Sequence, residues 1–130
     1  METLLLAVNG TLMRGFKLNP NMINVGATFV EETQTDPHYR LWSIDDDHPG
    51  MIRVKTGGVS VVVELWAVPA TGLAQILQNE PAGLSIGKVQ LIDGRTVLGV
   101  LAEPWVVENQ KEISSFGGWK TYAESTHLPH

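Results

Sequence analysis

Two places in this chain gather residue types that can do chemistry, and both concern an anion or a proton. The first is Asn9-Gly10-Thr11, a polar break after the apolar run Leu4-Leu5-Leu6-Ala7-Val8, with Arg14-Gly15 just beyond. Asn-Gly is a turn signal, and Gly10 accepts a positive φ that a Cβ would penalise. Backbone N–H groups in such a loop can converge on an anion, with Thr11 and Arg14 as further donors. A plain strand-to-loop connection is the competing reading. The second place is Glu80, at the C-terminal end of an expected helix, where the macrodipole disfavours an anion. Partial burial against the first loop would add desolvation, and the two effects raise a carboxyl toward the range of a general base. Here the competing reading is a solvated glutamate at a helix end.

Other groups are less specific. Glu64 interrupts the apolar run Val61-Val62-Val63-Glu64-Leu65-Trp66. It either faces the solvent side of a sheet or projects inward against a partner such as Arg53 or Lys88. In Ile86-Gly87-Lys88 the glycine marks a bulge or a close approach within a strand. Lys88 then serves an anion or pairs on the surface. Asp45-Asp46-Asp47-His48 offers hard oxygens for Ca²⁺ or Mg²⁺, but without the glycine and terminal glutamate of an EF-hand it reads as a solvated turn. His38, His48, His127 and His130 have neither HxH nor HExxH spacing, and no serine sits in a G-x-S-x-G elbow. Of four tryptophans, at least three are assigned to the core, and Trp119 is expected to anchor the last helix or dock a partner.

These residues need elements to hold them. Residues 4–8 are apolar on both faces, the pattern of a fully buried strand. Asn19-Pro20 opens a short helix, with Asn19 as its N-cap, and Gly26 ends it. Strands are expected over 27–32, 38–44, 51–54 and 59–68, with 45–50 as a turn. Pro69 stops the last of these and opens a helix over 70–79, with Leu73, Ile76 and Leu77 on its apolar face. Glu80-Pro81 ends that helix. Strands over 84–92 and 95–102 flank Asp93-Gly94, the strongest hairpin signal in the chain. A terminal helix follows Phe116-Gly117-Gly118-Trp119 and stops near 124. This pattern predicts an α+β fold with six to seven strands and two to three short helices, the long apolar strands closing into a small mixed β-barrel. Residues 1–124 read as one domain and 125–130 as a frayed tail.

Composition narrows the function classes. The chain has 130 residues, 43% hydrophobic and 18% charged, which suits one folded domain. A net charge of -5 without a basic run argues against nucleic acid. Cysteine is absent, which removes disulfides, thiolate catalysis and thiolate metal sites. No basic leader and no run near 18 apolar residues is seen, so a cytoplasmic protein with no membrane association is expected.

Four segments carry a family resemblance: Leu6-Ala7-Val8-Asn9-Gly10-Thr11-Leu12-Met13-Arg14-Gly15, Val63-Glu64-Leu65-Trp66-Ala67-Val68-Pro69, Ile86-Gly87-Lys88-Val89 and Phe116-Gly117-Gly118-Trp119. In order and over 4–122 they resemble the C-terminal domain of allophanate hydrolases, enzymes of urea and cyanuric acid breakdown. The resemblance implies a γ-glutamyl cyclotransferase-like fold. In that superfamily a tyrosine-glycine-serine-type loop after the first strand binds substrate carboxylate and amide groups. A glutamate after the helix that follows the central strand is the acid/base. Asn9-Gly10-Thr11-Leu12 matches the loop and Glu80 the glutamate. Asn9 replaces the loop tyrosine, Thr11 replaces the serine, and Leu12 stands near where some members place a histidine for decarboxylation.

The function this implies is that of a stand-alone relative acting through Glu80 on a small carboxylated or carbamoyl compound of urea or allophanate nitrogen metabolism. The ligand would sit on Asn9, Gly10, Thr11, Leu12, Arg14 and Lys88, with no metal or organic cofactor. A second reading is a non-catalytic module that forms homo-oligomers and docks an amidase. A third is a γ-glutamyl-amine cyclotransferase releasing 5-oxoproline.

Overall fold

The computed structural model describes residues 2–130. Strand β1 (Thr3–Val8) lacks alternation because it is the central strand of a five-stranded sheet. It pairs antiparallel with β5 (Val62–Pro69) and parallel with β7 (Thr96–Ala102). The sheet runs β2-β5-β1-β7-β6, with β2 (Thr28–Gln34) and β6 (Leu84–Gln90) at its edges. Leu6, Ala7 and Val8 are almost fully buried, and Val63, Leu65, Trp66 and Val68 of β5 join them in the core.

A second sheet, β4-β3-β8, comprises β3 (Tyr39–Ile44), β4 (His48–Arg53) and the two-residue β8 (Lys111–Glu112). The fold is α+β as expected, with eight strands in two sheets and three helices among the described residues. The expected barrel closure is not found. The edges β2 and β6 meet at one end alone, through the Thr35–Leu91 bridge and the hydrogen bonds from Asp36 N to Gln90 O (3.0 Å) and from Ile92 N to Gln34 O (3.0 Å). Beyond that point the chain departs into β3 and pairs there within the other sheet. The eighth strand escapes a sequence reading because two residues carry no periodicity.

Helix α1 (Asn19–Asn24) starts one residue earlier than expected, with Leu18 as its N-cap and Pro20 as its second residue. The Asn19 side chain instead donates to Leu12 O (2.9 Å) and so fastens the first loop. Helix α2 (Ala70–Gln78) follows β5 directly. Its buried face is Gly72 and Ile76, whereas Leu77 is 39% exposed, contrary to the expected stripe. A Cβ at Gly72 would stand 2.7 Å from Val25 Cβ, so glycine sets how closely α2 sits on the segment after α1. Helix α3 (Trp119–Ser125) packs Trp119 and Tyr122 inward, both 2% exposed. Trp66 is also buried, while Trp42 is half-buried and Trp105 is 57% exposed. Two tryptophans rather than three therefore lie fully in the core. The last residues turn back over the domain, with Leu128 N donating to Ala123 O (2.9 Å) and the His130 ring stacked on Phe16 at 4.5 Å.

Candidate functional site

The loop after β1 is held at three points. At its start, the buried Asn9 side chain donates from Nδ2 to Val100 O of β7 (2.9 Å). Asn19 holds Leu12 O in the middle. At its far end, Arg14 N and Nε donate to Glu64 Oε1 and Oε2 at 3.0 and 3.1 Å. Gly10 has the one steric demand that decides the site. A Cβ there would lie 2.4 Å from Pro49 Cδ, so only glycine lets β4 come this close. The need is that approach rather than the positive φ expected from the Asn-Gly signal, since Gly10 is not among the positive-φ glycines.

Behind Pro49 comes His48, which the sequence offered as part of a turn. The turn is shorter than expected: Asp45 and Asp46 both adopt positive φ (53° and 54°), as a type I′ hairpin turn requires. His48 therefore already belongs to β4, opposite Ile44. The three aspartates are exposed, as a solvated turn implies, and each also has a partner. Asp45 meets the Gln110 side chain, and Asp46 accepts from Ser43 Oγ and Tyr122 Oη, both at 2.6 Å. Asp47 pairs with Lys17 and with His48 Nδ1 (2.8 Å). The Ser43 and Tyr122 hydroxyls hold the Asp46 carboxyl below its usual range, and Lys17, then His48, do the same for Asp47. No grouping of three or more His, Asp or Glu side chains suited to a metal ion occurs among the described residues.

Glu80 follows the C-cap residue Asn79 of α2, with its N–H donating to Leu77 O (3.2 Å). It lines a narrow cleft with Val8, Asn9, Gly10, Thr11 and Leu12 of the first loop, His48 and Pro49 of β4, Leu84 and Val100. The cavity volume is about 10 Å³, room for one water-sized group. Burial lifts the Glu80 carboxyl from its ordinary 4.5 to about 7, and no neighbouring charge offsets it. Its Oε2 is buried without a hydrogen-bond partner, and so is His48 Nε2. A carboxyl of this kind is protonated in slightly acidic solution and can give or take a proton near neutrality.

The structure thus gathers Asn9, Gly10, Thr11, Leu12 and Glu80 around one cleft, and leaves two expected contributors outside it. Arg14 is committed to Glu64, lies over the Phe29 ring at 3.6 Å and borders a different cavity, of about 270 Å³, beside Trp119. Lys88 is exposed on edge strand β6 and does not line the cleft. Glu64 has neither Arg53 nor Lys88 as partner. It accepts from Arg14 and from Trp66 Nε1 (3.1 Å), because β1 pairing sets Glu64 opposite Val8 at the mouth of the loop. His48 is the residue the sequence reading missed. Its local signal was confined to three aspartates and a His-Pro pair, and the approach of Pro49 to Gly10 is a contact between distant segments.

Known proteins share this arrangement of elements. Over 126 residues the chain is 27% identical to the urea amidolyase of Saccharomyces cerevisiae, covering 92% of this chain and 7% of that protein. It spans about 7% of the length of the curated relatives it matches. The crystal structure of c4763, a uropathogenic E. coli-specific protein, superposes with a TM-score of 0.94 at 60% identity, covering 95% of this chain and 98% of that one. Allophanate hydrolase of Kluyveromyces lactis superposes with a TM-score of 0.92 at 27% identity, over 97% of this chain and 22% of the enzyme. An AIG2-like protein of Mus musculus, at 19% identity and a TM-score of 0.62, shares the fold alone. The model of the allophanate hydrolase C-terminal domain matches residues 4–124, loop, central strands and Glu80 included, and to that family this chain belongs.

Proposed function

We propose that this domain binds the head group of a small carboxylated or carbamoyl compound between the 9–12 loop and Glu80, and that Glu80 moves a proton on it. One observation carries the reading: a carboxyl without a charged partner, lifted by burial to about 7, ends in an unsatisfied oxygen inside a cleft. Keeping such a group dry is costly, and functional sites are where that cost is found. The N–H groups of Thr11 and Leu12, which donate to no backbone or side chain among the described residues, supply donors for developing negative charge on the bound group. An intermediate of urea or allophanate nitrogen metabolism fits the class of relatives that share the fold. Thermal-shift titration of the wild type and Glu80→Gln with small carboxylates and carbamoyl compounds tests this. A ligand at a hundred times its Kd stabilises the fold by about 2.7 kcal/mol. Stabilisation by at least one compound that Glu80→Gln alters is the expected result, and an unresponsive wild type across the panel refutes it.

A second reading, a docking and oligomerisation module for an amidase, rests on the match to a 22% portion of an allophanate hydrolase. Of the Phe116 to Trp119 surface expected to serve it, Trp119 is buried against Tyr122 at 5.6 Å and Phe116 is half-buried. Co-purification with an amidase, together with a Glu80→Gln variant indistinguishable from wild type, would favour this reading. The γ-glutamyl-amine cyclotransferase reading has less support in a cavity of about 10 Å³. An assay for 5-oxoproline release is expected to be negative.

A further inference from the structure

The Asp47 carboxylate accepts hydrogen bonds and cannot donate one, so the 2.8 Å contact with His48 Nδ1 places a proton on Nδ1. Lys17 pairs with the other oxygen of Asp47 and holds that carboxylate in its ionised form. In the neutral imidazole, Nε2 is then a bare lone pair. It is buried, belongs to a residue 8% exposed, and has no partner among the described residues. The Glu80 oxygen without a partner borders the same cleft. A protonated carboxyl is a donor. The cleft therefore offers one unsatisfied acceptor and one unsatisfied donor.

We infer that His48 and Glu80 together read a neutral carbamoyl group, His48 Nε2 accepting from its N–H and the Glu80 carboxyl donating to its C=O, in preference to a carboxylate of the same shape. This rests on the cleft being a ligand site, as proposed above. A carboxylate brings acceptors alone, so one oxygen would face the Nε2 lone pair, and its charge would lose its hydration in a narrow space. The amide satisfies both orphan groups and carries no charge. Selectivity also needs rigidity, which the molecule supplies. Pro49 abuts Gly10, the hairpin turn fixes the backbone of His48, and Asp47 fixes its ring.

Acetamide and acetate differ by one NH₂ for one oxygen and serve as probes on the full chain. With ¹⁵N-histidine labelling near pH 7, where the Glu80 carboxyl still holds a large share of its proton, the neutral His48 ring is expected as the Nδ1–H tautomer. Acetamide is expected to shift its Nε2 resonance saturably, with roughly tenfold tighter binding than acetate, the equivalent of one unmade hydrogen bond. His48→Asn keeps a donor for Asp47 and removes Nε2, and should bring the preference close to one. An Nε2–H tautomer, acetate binding as tightly as acetamide, or a preference that survives in His48→Asn overturns the inference while leaving the cleft a ligand site. If neither probe perturbs the His48 ring or the Glu80 carboxyl, the inference and the proposed function fall together. The wild-type titration stands even if His48→Asn fails to fold.

Discussion

Replacing Glu80 by glutamine tests the physical basis of the site through stability, without knowledge of any substrate. In the folded chain the carboxyl titrates near 7, against an ordinary 4.5. Its folded pKa is raised by burial rather than by a partner, so the native state holds its proton more tightly than the unfolded chain does. The native state is consequently penalised once the unfolded group ionises. The penalty starts near pH 4.5, grows through the interval to 7, and is complete above it. Its full size is about 3 kcal/mol at pH 8, falling below about 1 kcal/mol at pH 5. Glutamine is of similar volume and does not ionise. Glu80→Gln should therefore gain stability relative to wild type by about 2 kcal/mol between pH 5 and pH 8, equivalent to a Tm difference of roughly 5–10 °C. Urea denaturation of both proteins at several pH values reads it directly. The slope with pH is the quantity to compare, because a fixed packing effect of the amide cancels from it. A pH-independent difference would show that Glu80 ionises as an ordinary surface glutamate, and the acid/base assignment would lose its foundation.

Three further outcomes follow from the contacts around the cleft. Gly10→Ala puts a Cβ 2.4 Å from Pro49 Cδ and should cost about 1–3 kcal/mol in urea denaturation while weakening any ligand response; a fully stable variant would refute the close-approach argument. Glu64→Ala leaves the buried Trp66 Nε1 and the Arg14 N–H without their acceptor, and a loss of about 2–4 kcal/mol is expected by the same measurement. Tyr122→Phe removes the 2.6 Å hydrogen bond to Asp46 and should cost about 1.5–2 kcal/mol at neutral pH. The Asp46 carboxyl is held below its ordinary 3.8, so that contribution is present above this value and fades as pH falls through the lower, folded pKa. The Tyr122→Phe penalty should shrink in acid accordingly.

What could be read without coordinates was local in origin. The doubly apolar run 4–8 marked the central strand, Pro69 the strand-to-helix joint and Asp93-Gly94 a hairpin, because each depends on burial pattern or backbone preference within a few residues. Glu80 and the 9–12 loop stand out as candidates in the same way, one from a helix end and the other from a break in hydrophobicity. What tertiary structure decided was every pairing between distant segments. Arg14 binds Glu64 from 50 positions away, so a residue expected to hold ligand holds the loop instead. His48 reaches the cleft because Gly10 lacks a Cβ at Pro49, 39 positions on, and no pattern within either segment announces that contact. How far the sheet closes on itself is decided in the same way: strand propensity says which residues extend, but the edge that each strand meets is set by where the chain turns. Even the Glu80 pKa divides this way. Its helix-end position was legible in sequence, whereas the burial that lifts it arises from the loop, β4 and β6 assembled around it.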